Sequence, residues 1–325
     1  MPSSFQPSTP SAQELSGHSF AAFEAQITAL WVFPIKSCAG ISVTHALLTP
    51  TGLAHDRAWM VVDAEGEMLT QRELPRMALI QPALVVVEDC PAELVLHASG
   101  MAALQLSAAT LHQAARHSVK VRVWDDLVPA FDMGAAASAW LTAFLGDRFG
   151  PLRLVRFDDV HHRPSSAAWT QGLPSSNQFS DGFPLLVAST ASLAELNSRL
   201  LAQGQAAVDM RRFRANVVLG DADGQAAHVL AHDEDRIGTL TVHTPVDAVG
   251  QAVQLQPVKP CPRCPIPNID PDTALVNSAV SNTLQVYRQD ARVHGALTFG
   301  MNCLPVAGMG QVLRVGQRVS ADWVF

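Results

Sequence analysis

Lysine is nearly missing from this chain: Lys36, Lys120 and Lys259 are the three among 325 residues, and the formal net charge is −7. Such a balance gives no general attraction to nucleic acid or to an anionic membrane surface. No apolar run approaches the roughly 18 residues that a membrane-spanning helix needs. Residues 1–26 contain no lysine or arginine, so they lack the basic and apolar segments of a signal peptide. Their Ser, Pro, Gln and Ala content reads as a mobile tail, and a cytoplasmic location is the expectation. Five cysteines form an odd set without framework spacing, which argues against a disulfide-stapled secreted fold and for a reducing compartment.

The chain does have enough apolar residues, 48%, for one large or two modest domains. Strand-like runs cover 27–33, 41–48, 57–63, 68–71, 83–88, 93–97 and 119–124, with a hairpin turn at 63–66. Short strands at close spacing predict antiparallel β structure. A helix is expected over 132–145, with Asp132 as its cap and Gly146 as its stop, followed by strands at 152–157 and 185–188. The clearest helix starts at Ser189 or Thr190 and runs to Leu201, with Leu193, Leu196, Leu200 and Leu201 on one face. Strand character returns at 217–219 and 311–324. The expected class is α+β, mainly antiparallel β, in two β-barrel-like lobes with few helices. The expected division is a tail over 1–26, a first domain over 27–150 and a second over 151–325.

Chemistry concentrates in residues 258–271, where Cys261 and Cys264 stand three positions apart among five prolines, with Arg263 beside them. Proline fixes φ and removes a donor, so Pro265, Pro267 and Pro271 oppose a helix and favour a stiff, extended loop. Several uses fit these thiols. A dithiol redox pair needs a helix N-terminus after the first cysteine, which the prolines disfavour. A zinc site needs further ligands, and only His294 and Cys303 follow. One cysteine can instead be the single protein ligand of a soft metal otherwise held by a cofactor. Both can also be small buried apolar residues.

Basic residues mark other segments. Lys36 and Ser37 follow a strand and precede Gly40, a pattern that suits a phosphate as well as a solvated turn. Arg57 enters a strand beside Asp56, as its ion-pair partner or as a second anion anchor. Arg211, Arg212 and Arg214 precede the strand at 217–219. Arg212 and Arg214 share a face if that segment is extended, and a surface ion-pair network with 233–235 is the alternative. His161 and His162 are adjacent, point apart in an extended chain, and read as a surface loop.

Taken together, Pro34 to Cys38, Gly52 to Asp63, the Leu69–Glu73 and Ala78–Ile80 segments, Phe179 to Pro184, Arg212 to Asn216, Cys261 to Asp272 and Phe299-Gly300 resemble the MOSC-domain proteins with an N-terminal MOSC β-barrel domain. That architecture is shared by bacterial hydroxylaminopurine-resistance proteins and mitochondrial amidoxime-reducing components. The resemblance implies a molybdenum cofactor (molybdenum bound to molybdopterin) and reduction of N-hydroxylated compounds: hydroxylamines, amidoximes or N-hydroxylated bases. It implies Cys264 as the catalytic metal ligand. Lys36, Ser37 and Arg57 match phosphate-holding positions, Arg214 matches an arginine that reaches the cofactor, and Pro262, Arg263 and Asn302 match its lining. Gly182 and Phe183 match contacting positions that offer only backbone groups. Ala274 replaces the family's usual glycine. No cysteine cluster of an iron–sulfur domain is present, so a separate electron donor is implied, ferredoxin-like or cytochrome b5-like with its reductase. A cofactor-binding or sulfur-carrying protein, with a persulfide on Cys264 and no reductase activity, is the alternative.

Overall fold

Alternation along β1 (Phe23–Val32) turns Phe23, Ala25 and Ile27 inward, and a register shift between Ile27 and Ala29 resets the phase so that Leu30 and Val32 are buried as well. β1 is one stave of a closed seven-strand barrel. The others are β2 (Leu185–Ser189), β3 (Val217–Gly220), β4 (Leu240–Val242), β5 (Val253–Pro262), β6 (Ala296–Ala307) and β7 (Arg318–Ala321). Their order is β2-β3-β1-β7-β4-β5-β6, and β6 pairs with β2 to close the ring. Only β2 and β3 run parallel within it. Closure leaves no open sheet edge, and residues from every stave, including Leu185, Leu219, Leu240, Leu255, Cys303 and Val319, fill the interior. These relations come from a computed structural model that describes residues 22–85, 93–114, 117–221, 228–243 and 252–324.

A second body is built from a four-stranded antiparallel sheet, Ser118–Val123, Asp126–Asp132, Arg153–Phe157 and Trp59–Val62. Helix α1 (Ala135–Leu145) covers one face with Trp140, Leu141 and Phe144. Val62, Val121, Val128, Phe157 and Phe179 pack on the other. On the barrel's outer face, α2 (Thr190–Ala202) and α3 (Ala279–Tyr287) bury Leu196, Leu200, Val280 and Leu284 against Leu186, Val218 and Phe299. The Ser189 hydroxyl accepts the Ser192 N–H at 3.1 Å, the expected cap of α2.

Several boundaries differ from expectation for visible reasons. β1 begins at Phe23, inside the expected tail, and joins strands of the C-terminal half. The run 41–48 divides at Thr44, since Ile41–Val43 pairs with β1 and His45–Thr49 pairs with Val312–Arg314. Residues 68–71 are no strand: Thr70 turns the chain by donating from its hydroxyl to Glu73 at 2.7 Å. Asp132 cannot open α1 because its backbone pairs with Val155 in the sheet; its carboxylate accepts the Gly134 N–H instead. The run 83–88 is strand through Val85, and 86–88 lie outside the described residues. Helix α3, with Ala108–Ala114 and Ala167–Thr170, was not signalled by apolar periodicity.

Ala274 sits at φ +59°, in the left-handed region, where a Cβ costs about 1–2 kcal/mol. The Asp270 side chain and carbonyl hold the turn, accepting from Thr273 and Ala274 at 2.9 Å. Ala274→Gly should therefore stabilise the protein by about 0.5–1 kcal/mol, after allowing for the greater freedom of glycine in the unfolded chain. Chemical denaturation would read this as a higher midpoint at unchanged slope; a lower midpoint would mean that the strain is absent.

Candidate functional site

β1 leaves the barrel at Val32, and three residues later Ile35 bridges Trp59 at the edge of the four-stranded sheet. The chain thus crosses between the two bodies at Phe33-Pro34, and Lys36 and Ser37 lie just past the crossing. The Lys36 N–H donates to Trp59 O at 2.8 Å, and Ser37 takes φ +66°. The Lys36 ammonium, 5% exposed as a residue, donates to the Phe179 carbonyl at 2.9 Å and pairs with Asp181. Burial lowers its pKa, opposed by the Asp181 carboxylate.

Asp56 organises the second strut. Its buried carboxylate accepts the Phe33 N–H at 2.8 Å and pairs with the Arg57 guanidinium. Arg57 also donates to the Arg214 carbonyl at 3.0 Å. Arg57 and Arg214 both lie against the Phe33 ring, 4.5 and 4.3 Å from its centre. Arg214 arrives after a 3-10 turn, Met210–Arg212, with φ +59°. The segment is therefore not extended, and the expected sharing of a face by Arg212 and Arg214 fails. Arg212 pairs with Asp270 at 2.8 Å, while Arg211 pairs with Asp209 at 2.6 Å and Asp272 at 2.7 Å. Those carboxylates, not 233–235, hold the two outer arginines; Asp235 pairs with Arg288. Arg214 is left to the interior, where burial and the neighbouring Arg57 disfavour its charged form.

The cysteine segment is only partly the stiff loop expected. β5 continues through Pro262, so Cys261 is a strand residue; the turn begins at Arg263, whose N–H donates to Leu297 O at 2.7 Å. Cys264 follows in that turn, ahead of a 3-10 element, Ile266–Asn268. Arg263 donates to Cys261 Sγ at 3.1 Å and to Phe213 O at 3.0 Å. Cys38, Cys261, Cys264 and Cys303 are all free thiols, and Cys38 and Cys303 are buried. Among the described residues no three His, Cys, Asp or Glu side chains form a metal cage, so neither His294 nor Cys303 completes a zinc set with the pair. His161 and His162 line a separate surface cleft with His55.

These segments line one cavity of about 100 Å³, and every predicted site residue except Pro262 lines it. Pro262 is exposed at the end of β5. Residues that the sequence placed in matching segments without a site role also line the cavity: Thr70, Arg72, Asp181 and Phe213. Trp124 touches two of these residues, donating its indole N–H to Asp181 at 3.2 Å while Arg72 stacks on its ring at 4.5 Å. Trp124 belongs to a hairpin far away in sequence and carried no local signal, whereas Arg72 and Asp181 lie inside segments already singled out. The lining holds five cationic side chains, Lys36, Arg57, Arg72, Arg214 and Arg263, against one carboxylate, Asp181. Arg214 Nη2 and Arg263 Nε are buried without hydrogen-bond partners. Buried donors left unpaired are costly; a multiply charged anion with several acceptor oxygens would relieve them.

The MOSC N-terminal beta barrel domain matches residues 24–148, and the MOSC domain matches residues 174–320. The chain belongs to the MOSC family. Among MOSC relatives, it is 35% identical over 271 residues to human "Mitochondrial amidoxime-reducing component 1", covering 81% of this chain and 72% of that one. It is 31% identical, with the same coverage, to Bos taurus "Mitochondrial amidoxime reducing component 2". It is 28% identical to Danio rerio "Molybdenum cofactor sulfurase", covering 85% of this chain but only 31% of that protein. Among the described residues of this MOSC protein, no helix is long and apolar enough to cross a membrane.

Inorganic pyrophosphate titrated into the cofactor-free protein should report the cationic cavity. Lys36 has a folded pKa below its unfolded value, so it loses its proton earlier as pH rises, and anion affinity should fall through that lowered pKa. The sign for stability is opposite: where only the unfolded state still holds the proton, stability of the free protein rises with pH. Lys36→Met should weaken binding roughly tenfold to a hundredfold near neutrality and flatten the alkaline decline. Equal calorimetric affinities for Lys36→Met and wild type would remove Lys36 from the anion site.

Proposed function

We propose that this protein is a molybdenum-cofactor-dependent reductase of N-hydroxylated compounds. The observation that carries the reading is that Cys264, a free and partly exposed thiol, lines the same cavity as five cations in a chain whose relatives are named for amidoxime reduction and molybdenum cofactor sulfuration. The residues present fit the group. Arg214 Nη2 and Arg263 Nε are unpaired donors for an anionic cofactor, Lys36, Ser37 and Arg57 would hold its phosphate, and Gly182, Phe183 and Asn302 would line it. Cys264 thiolate would complete a sulfur-rich metal coordination.

When bound, the cofactor supplies two-electron chemistry at the metal. The chain's own residues set the conditions for it. Lys36 and Arg57 are fixed before any ligand arrives, Lys36 by Phe179 O and Arg57 by Asp56 and Arg214 O, so little ordering is left to accompany binding. Overall, R–NHOH takes up two electrons and two protons to give R–NH2 and water; the N–O bond breaks and nitrogen is reduced. The electrons come from a separate donor protein, ferredoxin-like or cytochrome b5-like with its reductase, and the protons from solvent.

Cys264→Ala, purified from a host that makes the cofactor, should lose nearly all of the molybdenum that wild type carries, with activity toward hydroxylamine falling at least a hundredfold. Cys261→Ala, whose thiol is a strand residue held by Arg263, should keep its metal. Elemental analysis and viologen-coupled reduction would measure both. Stoichiometric sulfane sulfur on Cys264, with no molybdenum, would favour the sulfur-carrier reading instead.

A further inference from the structure

Lys259, one of three lysines in the chain, lies beside the cationic cavity without lining it. It stands opposite Asn302 across the β5–β6 ladder, and residues paired in this way share one face of a sheet. Asn302 lines the cavity. The half-buried Lys259 ammonium sits 5.2 Å from the centre of the Trp169 ring and 5.8 Å from that of Phe183, a lining residue. A second pair of the same kind adjoins the cavity: Arg72 lies 4.5 Å from the ring of Trp124, which is 39% exposed. Among the described residues neither Lys259 nor Arg72 forms an ion pair. The one carboxylate of the lining, Asp181, is taken by Lys36. This side of the molecule therefore carries unneutralised positive charge, although the whole chain has a net charge of −7.

We propose that the Lys259–Trp169 and Arg72–Trp124 pairs belong to one docking surface for an acidic one-electron carrier protein. The inference rests on the reductase reading above, which needs an external donor. A carrier has to approach the group that Cys264 would hold, and the cavity that Cys264 lines is the one both pairs adjoin. Tryptophan and arginine are the residues that most often carry interface energy, and complementary charge steers an encounter. A carrier with a negative face is drawn to this side and repelled by the acidic remainder, so charge selects its orientation as well as its identity. Contacts between electron carriers are small, below about 1,200 Å², and two cation–aromatic pairs are anchors enough for a contact of that size. Each encounter oxidises the carrier by one electron. Two encounters supply the two electrons that break the N–O bond, with the protons taken from solvent.

The test pairs binding with turnover. Two acidic carriers of unrelated fold, a plant-type ferredoxin and the soluble haem domain of cytochrome b5, are titrated into the purified protein by calorimetry. Affinity should fall roughly tenfold between about 20 and about 200 mM sodium chloride, and cytochrome c, a basic carrier, should not bind. Lys259→Glu should weaken binding of the acidic carriers roughly tenfold or more, and Lys259→Arg should bind as wild type does. Trp169→Ala should weaken it by a similar factor, and the lysine variants decide the matter if that one misfolds. In turnover of hydroxylamine, Lys259→Glu should lower kcat/KM for a reduced carrier in step with its affinity. Reduction driven by methyl viologen, which needs no docking surface, should stay within about twofold of wild type. Lys259-dependent binding of either carrier supports the surface. Binding of neither, or binding that Lys259→Glu leaves intact, overturns it, as does an equal fall in the viologen-driven rate, which would put Lys259 in the cofactor or substrate site. Loaded wild type that leaves hydroxylamine unreduced by viologen overturns the reductase reading alone, because the binding result still decides the surface.

Discussion

Two guanidinium groups held against one buried phenylalanine ring set the terms for the rest of this structure. Arg57 and Arg214 repel each other in a buried setting, and that repulsion has to be offset locally. The Phe33 ring face attracts both cations, the buried Asp56 carboxylate pairs with Arg57, and the Arg214 carbonyl turns toward Arg57. Asp56 also takes the Phe33 N–H, so the ring is fixed by the same carboxylate that steadies one of the cations resting on it. Gly40 allows the ring its place: a Cβ there would collide with the Phe33 ring. The cations are thus positioned by the fold itself, and Arg214 keeps Nη2 without a partner.

Phe33 is also where the chain crosses from the barrel to the four-stranded sheet, so the electrostatic centre and the mechanical junction coincide. Arg57 comes from the sheet side, Arg214 from the approach to β3, and the Phe179–Pro184 segment closes the gap, its Phe179 N–H donating to Arg57 O at 3.0 Å. Phe179 packs edge-on against Phe157 at 5.2 Å, anchoring the segment that leads into β2. Small-molecule sites favour such junctions because facing bodies can exclude water while leaving an entrance. A change in the packing of either body would move cations that belong to both.

The two cysteines of the motif divide by position. Cys261 is a strand residue that packs toward the helical layer and takes a hydrogen bond from Arg263. Cys264 stands in the turn, and both thiols line the cationic cavity. Three positions therefore separate a strand residue from a turn residue, since the strand ends at Pro262 and the turn begins immediately after it.

Local chemistry determined a good deal in advance. Alternation in β1, the Ser189 cap of α2 and the prolines after Cys264 act over a few residues, so antiparallel strands, one well-bounded helix and an interrupted thiol segment were legible from the residue order. Lys36, Arg57, Arg214, Arg263 and Cys264 were legible as chemistry-bearing residues because each stands in a short basic or thiol motif, and the resemblance grouped them. Long-range pairing decided the rest. Barrel closure puts β1 among strands nearly 200 residues or more away, which no local window can register. The left-handed turn at Arg214 separates it from Arg212, and acidic partners at Asp209, Asp270 and Asp272 take the other two arginines outward. Trp124 reaches Asp181 and Arg72 from a hairpin tip, and a cleft beside Cys264 is walled by α3 and the turn at 265–268. Sequence order specified which side chains could do chemistry; tertiary packing selected which of them share a cavity, because burial and ion-pair partners are assigned only when distant segments meet.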